Sequence, residues 1–234
     1  IRRKTVMVLL SKPVTRTTVL LGKFTGIALA LSMAQLSWMA TLALAIRHRS
    51  IHSQLVEDQA PVLWVSIAAV LISLLHAAWA HRRGASFPAM LSRNCMVTLV
   101  AAAIGMWCWG PDGSFRWPTS EFDPDIFWAM LLVHEGVLVL AAVALTASTR
   151  LPTPATIALS LATLFSSVVV GSLLRGSGWA RWVPDLQRLW VSDGLIRGGH
   201  LAGSTVAWAS LWAGVTLCSV LCLGVALFAR RDVS

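Results

Sequence analysis

The sequence predicts an all-α, polytopic integral membrane protein, a bundle of about six transmembrane helices. Three observations carry that prediction. Only 12% of the 234 residues are charged while 56% are hydrophobic, and mean hydropathy is +0.72; soluble domains carry about 25% charged residues. The apolar residues collect into runs of about 20, the length that crosses hydrocarbon. These runs are continuous rather than alternating. A backbone that must satisfy its own hydrogen bonds in lipid does so there as helix, because barrel strands alternate and are about half as long.

The chain divides into a cytoplasmic amphipathic segment, residues 1–16, and a membrane domain over residues 17–234. The opening segment IRRKTVMVLLSKPVTR begins with three consecutive cations, runs through a short apolar stretch and stops at Lys12-Pro13. It is too short to cross a bilayer and is joined to a spanning helix, so it belongs at the membrane surface. The first span covers about residues 18–46, long enough to tilt, and opens on the small-residue pair Gly22 and Gly26, a GxxxG spacing that allows close approach of another helix. A loop with both signs of charge follows. The second span, about 61–80, ends in the basic turn His81-Arg82-Arg83-Gly84, and the third covers about 89–109, with Arg93 and Asn94 blurring its start. Residues 110–125, rich in Pro, Gly and acids, belong outside hydrocarbon. Spans four and five, about 126–148 and 154–174, form a tight hairpin, and the sixth covers about 205–229. Between the last two, residues 175–204 are polar yet carry Trp179, Trp182 and Trp190, which suits an external interfacial or re-entrant segment.

Alternation of these spans puts twelve of the 19 cations on one side, among them Arg16, Lys23, Arg82, Arg83, Arg150 and Arg231, and seven on the other. The excess marks the cytoplasmic face and places both ends of the chain there. The net charge of +9 does not indicate nucleic acid, because the cations flank apolar runs instead of forming one solvated patch. The four cysteines sit in or beside apolar runs with no CxxC, so no zinc or redox motif is indicated, and Cys218 and Cys222 read as small packing residues on one helix face. The chain opens on Ile1 without a signal peptide and reads as part of a longer protein.

Two blocks at the front, Leu9-Leu10-Ser11-Lys12-Pro13-Val14-Thr15-Arg16 and Leu21-Gly22-Lys23-Phe24-Thr25-Gly26, resemble a segment of the type 2 ABC export permeases, a group that includes permeases named for maturation of multi-copper enzymes. Val183-Pro184-Asp185-Leu186, Ser192-Asp193 and the closing Leu227 to Asp232 resemble the last external segment and last helix of that family, and residues 135–154 its penultimate hairpin. The resemblance implies a membrane subunit of an ATP-driven exporter in the bacterial cytoplasmic (inner) membrane. Its partners would be an ABC ATPase subunit, which holds ATP and magnesium, and a second permease subunit. No cofactor is expected on this chain. Contact with the ATPase falls to Arg2, Arg3, Lys4, Leu9, Leu10, Ser11, Lys12, Pro13 and Arg16. The resemblance also implies two further spans upstream of Ile1, and the spans between Gln59 and Gly110 are additional to the family's six-helix plan.

The physical reading of the opening segment stands beside this. Pro13 offers a fixed joint, and the cations of Arg2, Arg3 and Lys4 suit an acidic partner or anionic lipid. The plain alternative is a topogenic basic flank. No ATPase motif is present: Gly22-Lys23 is followed by Phe24 and lacks the P-loop spacing, so energy must come from another subunit. Glu135, beside His134, is the acid placed well inside a span. It suits a role in the pathway or its gating, a hydrogen bond to a neighbouring helix, or simple protonation. The two side chains point about 100° apart and form no HExxH site. His48 and His52 share metal-ligand spacing but have no third ligand nearby, so no metal site is assigned. Ser160, Thr163, Ser166, Ser167 and Gly171 give the fifth span a small polar stripe, suited to helix packing or to lining a route. No catalytic constellation appears. Two other functions remain open: a membrane scaffold or assembly factor recruiting partners through the basic rim, and a membrane-embedded enzyme using His134 and Glu135.

Overall fold

A computed structural model of the chain describes residues 15–47, 60–109, 114–115, 124–173, 186–191, 195 and 199–229. The described residues are helical, without a strand beyond the isolated Trp109–Phe115 bridge. Six helices follow in order: α1 (Arg16–Arg47), α2 (Ala60–Arg82), α3 (Phe87–Trp107), α4 (Pro124–Ser148), α5 (Thr153–Leu173) and α6 (Gly203–Ala229), with a short 3-10 turn at Leu186–Leu189 before the last. Five of them are long and apolar enough to cross a membrane, and α5 carries an apolar run over Thr153–Ser167. The protein is an all-α membrane bundle.

Its surface agrees with that class. Trp38, Leu75 and Trp208 are each about 70% exposed, and exposed large hydrophobics recur along every helix. Water would not tolerate so much contiguous apolar area, but lipid does. The buried positions are instead dominated by small residues such as Ala77, Ala103, Ala142, Ala209 and Ala213. Lipid tails are as apolar as leucine, so helices gain by close approach of backbones rather than by escaping solvent.

The chain forms two compact units. One comprises residues 30–124. Here Ala40 and Leu44 of α1 pack on Val62 of α2 and Ala103 of α3, and Arg47 caps the end of this cluster by donating to the Trp109 carbonyl at 3.1 Å. The α2 positions Val62, Ala69, Ser73, Ala77 and Ala80 recur every three to seven residues and are buried, so one narrow stripe of the helix faces protein and the rest faces lipid. Along the α2–α3 hairpin the contact is polar as well as small: Ser73 Oγ lies 2.7 Å from Thr98 Oγ1, which also donates to the Ala69 carbonyl, and Asn94 Nδ2 lies 2.9 Å from His76 Nδ1. Asn94, a source of ambiguity in the sequence, is thus accommodated by a partner across the hairpin. The turn closes on Gly84 at φ +89°, with Ala85 N donating to Ala80 O and Gly84 N to His81 O, a Schellman arrangement that needs a residue without Cβ.

The other unit comprises residues 1–29 and 125–234. Its core joins Leu132 and Val139 of α4, Val206, Ala209 and Ala213 of α6, and Leu186 and Leu189 of the 3-10 turn. That turn belongs to the stretch expected to be interfacial; Trp190 at its end is exposed, while Trp179 and Trp182 lie outside the described residues. Helices α4 and α6 run parallel: Asp125 in the first turn of α4 holds the Leu201 amide just before α6, Thr146 near the end of α4 bonds to Val220 of α6, and Arg150 just after α4 bonds to Leu227 in the last turn of α6.

Candidate functional site

At one end of the second unit, three elements meet at the C-terminus of α6. Helix α1 starts at a capped turn, where Thr15 Oγ1 accepts from Thr18 N at 3.2 Å, satisfying one of the free amides of the first turn. That cap fixes the direction of Arg16, whose Nη1 donates to the carbonyls of Ala229 at 2.7 Å and Phe228 at 3.3 Å. Arg150, in the α4–α5 turn, donates from Nη2 to the Leu227 carbonyl at 2.8 Å. The last three carbonyls of α6 therefore meet two guanidinium groups, which also complement the negative end of the helix dipole. Two turns deeper, Thr146 of α4 donates from Oγ1 to the Val220 carbonyl at 3.1 Å. Gly224 lies in this contact, where an added Cβ would sit 2.6 Å from Thr146 Oγ1 and 3.3 Å from Leu20 Cδ2. The glycine lets α1, α4 and α6 touch at one point.

Arg16 is the member of the expected ATPase-contact set that falls among the described residues. Arg2, Arg3, Lys4, Leu9, Leu10, Ser11, Lys12 and Pro13 lie outside them, as do His48 and His52. Gly22 and Gly26 are exposed on α1, and a Cβ at either would meet none of the described residues within 4 Å. Within the chain, the close approach expected of glycine occurs instead at Gly224. A glycine in an apolar run gives little sequence signal of that role.

At the opposite end of this unit, Asp125 in the first turn of α4 is buried, and its Oδ2 accepts from Leu201 N at 3.1 Å and lies 3.2 Å from His200 Nδ1. By sequence Asp125 is only the last of the acids in the 110–125 segment that belongs outside hydrocarbon. Its place at the second position of a helix is the signal that could have marked it.

Midway along α4, Glu135 points toward α6, with Ser210 beside its carboxyl group. Its Oε2 is buried without a hydrogen-bond partner among the described residues. Gly136, the next residue, admits Leu189, whose Cδ1 would lie 3.4 Å from an added Cβ. Beside this contact lies an apolar cavity of about 580 Å³ between α4, α5 and the 3-10 turn, lined by residues including Val137, Leu140, Phe165, Leu186 and Trp190. Neither His134 nor Glu135 lines it. The α5 hydroxyls bond back to their own helix: Ser160 to Thr156 O, Thr163 to Leu159 O, Ser166 to Thr163 O and Ser167 to Leu164 O. Of these, Ser167 is buried, and Gly171 lies further along the same helix. The four cysteines are free, and the described residues hold no group of three metal-ligating side chains.

Fold and site together define a multi-pass α-helical membrane protein with a cation-capped helix junction at one end. No protein-family model, curated protein or solved structure matches the chain.

Proposed function

We propose that the chain is the transmembrane permease subunit of an ATP-driven ABC exporter, paired with a second permease subunit and powered by a separate ATPase subunit. On this reading it resides in the bacterial cytoplasmic membrane with both ends of the chain in the cytoplasm. The motif resemblance at residues 9–26 suggests the class. The observation that supports the mechanism is the link from Arg16 to the Phe228 and Ala229 carbonyls. A coupling segment is useful only if displacement at its tip is passed to spanning helices. Arg16 is the last of the expected coupling residues along the chain and is bonded to the last turn of α6, so a push there bears on α1 and α6 together.

The test is affinity purification of the full-length protein from its native membrane, followed by an ATPase assay on the eluate. An associated nucleotide-hydrolysing subunit is expected, and reversing Arg2, Arg3 and Lys4 to Glu should uncouple hydrolysis from transport while leaving the protein in the membrane. Recovery of no such subunit, or unchanged coupling in the charge-reversed protein, rejects the reading.

A further inference from the structure

We infer that the α2–α3 turn carries a binding site for one anionic phospholipid of the bilayer, with Arg82 and Arg83 holding its phosphate and α2 supporting an acyl chain. The inference rests on the membrane fold and is independent of the exporter reading. Arg83 is held in place by a built shelf: its Cζ lies 3.9 Å from the centroid of the Trp79 ring, and that ring stacks on His76 at 5.6 Å and 25°. His76 is in turn tied to Asn94 of α3 at 2.9 Å. With its Cζ over the ring, the Arg83 guanidinium spends no N–H on the indole and keeps its donors for a bidentate acceptor such as a pair of phosphate oxygens.

The backbone beneath is equally determined. Arg82 closes α2 and Arg83 precedes Gly84 in the Schellman turn, so both cations sit in one short arc, with His81 Nδ1 3.2 Å from the Ala85 carbonyl. Among the described residues neither guanidinium has an ion pair. Below Arg82 and Arg83 on α2, Trp79, Leu75 and Ile72 recur at spacings of four and three, and all are more than half exposed. They lie off the buried stripe of Ser73, Ala77 and Ala80 that meets α3. A cationic tip, an indole at headgroup depth and an apolar stripe running toward the bilayer centre reproduce, in order, the phosphate, glycerol and chain of a phospholipid. A free phosphate ion would use only the first of these, which is why the lipid is the occupant.

The test uses the intact chain in detergent, titrated with dioleoyl-phosphatidylglycerol, dioleoyl-phosphatidylcholine or sodium phosphate, with bound copies counted by native mass spectrometry. One phosphatidylglycerol is expected to bind in preference to phosphatidylcholine. Arg82→Gln with Arg83→Gln should weaken it about 25-fold, about 5-fold for each cation near a membrane surface. Trp79→Leu, which keeps an apolar side chain but removes the shelf, should weaken it about 3-fold. Lys23→Gln, which removes one cation from an exposed position on α1, should change nothing. Equal binding of the two lipids overturns the proposal, and so does a loss of about 5-fold with Lys23→Gln, the per-cation loss expected of the arginines, which would indicate a nonspecific charge effect. Displacement of the lipid by phosphate at comparable concentration also overturns it. Should the arginine pair fail to fold, Trp79→Leu decides: unchanged phosphatidylglycerol affinity rejects the site.

Discussion

Gly224→Ala tests the junction of α1, α4 and α6, because two opposing effects of known size meet there. In an ordinary helix interior, replacing Gly with Ala stabilises by about 0.5–1 kcal/mol, through the smaller entropy lost on folding. Here the new methyl would lie 2.6 Å from Thr146 Oγ1 and 3.3 Å from Leu20 Cδ2. Thr146 is β-branched and stiff, so relief requires rotating its hydroxyl away, which breaks the bond to the Val220 carbonyl, or spreading the helices. Overpacking costs about 1–3 kcal/mol, and a hydrogen bond between membrane helices contributes about 0.6 kcal/mol. The clash outweighs the entropy gain, and a net loss of about 1–2 kcal/mol follows. Unfolding of the purified protein in mixed micelles measures it. Gly214→Ala is the control, since a Cβ there meets none of the described residues within 4 Å, and it should be neutral or stabilising. Thr146→Ala combined with Gly224→Ala should recover part of the loss, giving a coupling energy of about 1 kcal/mol in the double-mutant cycle. Gly224→Ala as stable as Gly214→Ala, or strictly additive effects of the two changes, would refute the close contact.

Two further perturbations address the ends of the same unit. Arg16→Gln and Arg150→Gln each remove a charged donor from the last carbonyls of α6, at a cost of about 0.3–1 kcal/mol apiece for exposed groups; hydrogen exchange should show the final turn of α6 opening several-fold more often in either variant, with the helix centre unchanged. Asp125→Ala strands the Leu201 amide and should lower unfolding stability by about 1–3 kcal/mol, whereas Asp125→Asn retains a carbonyl acceptor and should cost less. Equal losses in these two variants would assign the effect to charge and not to the hydrogen bond.

The helices were legible because lipid leaves few choices. The first and last spans, expected over 18–46 and 205–229, appear as Arg16–Arg47 and Gly203–Ala229, and the two-residue differences arise at capped or turn-bonded ends that hydropathy does not register. What the sequence did not disclose is which faces meet. In a helix that is apolar all round, hydrophobicity no longer marks the inward side, so contacts such as Gly136 with Leu189, Ser73 with Thr98 and Gly224 with Thr146 carry no periodic signal. Small size does carry some, since buried alanines dominate the interior, but alanine is also common on the lipid face. The Gly22 and Gly26 spacing shows the limit: its pattern suits packing, yet neither meets a neighbour among the described residues of this chain. Asp125 and His76 show another, since each is explained by a partner brought close through a turn or a distant segment.

The junction also sharpens what the proposed exporter mechanism requires. Taken from the sequence alone, a lever at the front of the chain would tilt only the span that follows it. The bonds from Arg16 to Phe228 and Ala229 tie that span at its base to α6, and the bond from Arg150 to Leu227 ties the α4–α5 turn to the same end of α6. Leu20, Thr146 and Gly224 then meet with no gap to absorb a displacement, and packed interiors respond to such a push by moving as a body. On the exporter reading, the first half of α1 with α4 and α6 is therefore the moving part, and the force enters it through Arg16. Glu135 and Ser210, which lie between α4 and α6 inside this block, would travel with it and keep their separation through the cycle. A role for Glu135 in gating would need α4 and α6 to part at that level, and the ties at both of their ends, through Asp125 and through Thr146, oppose it.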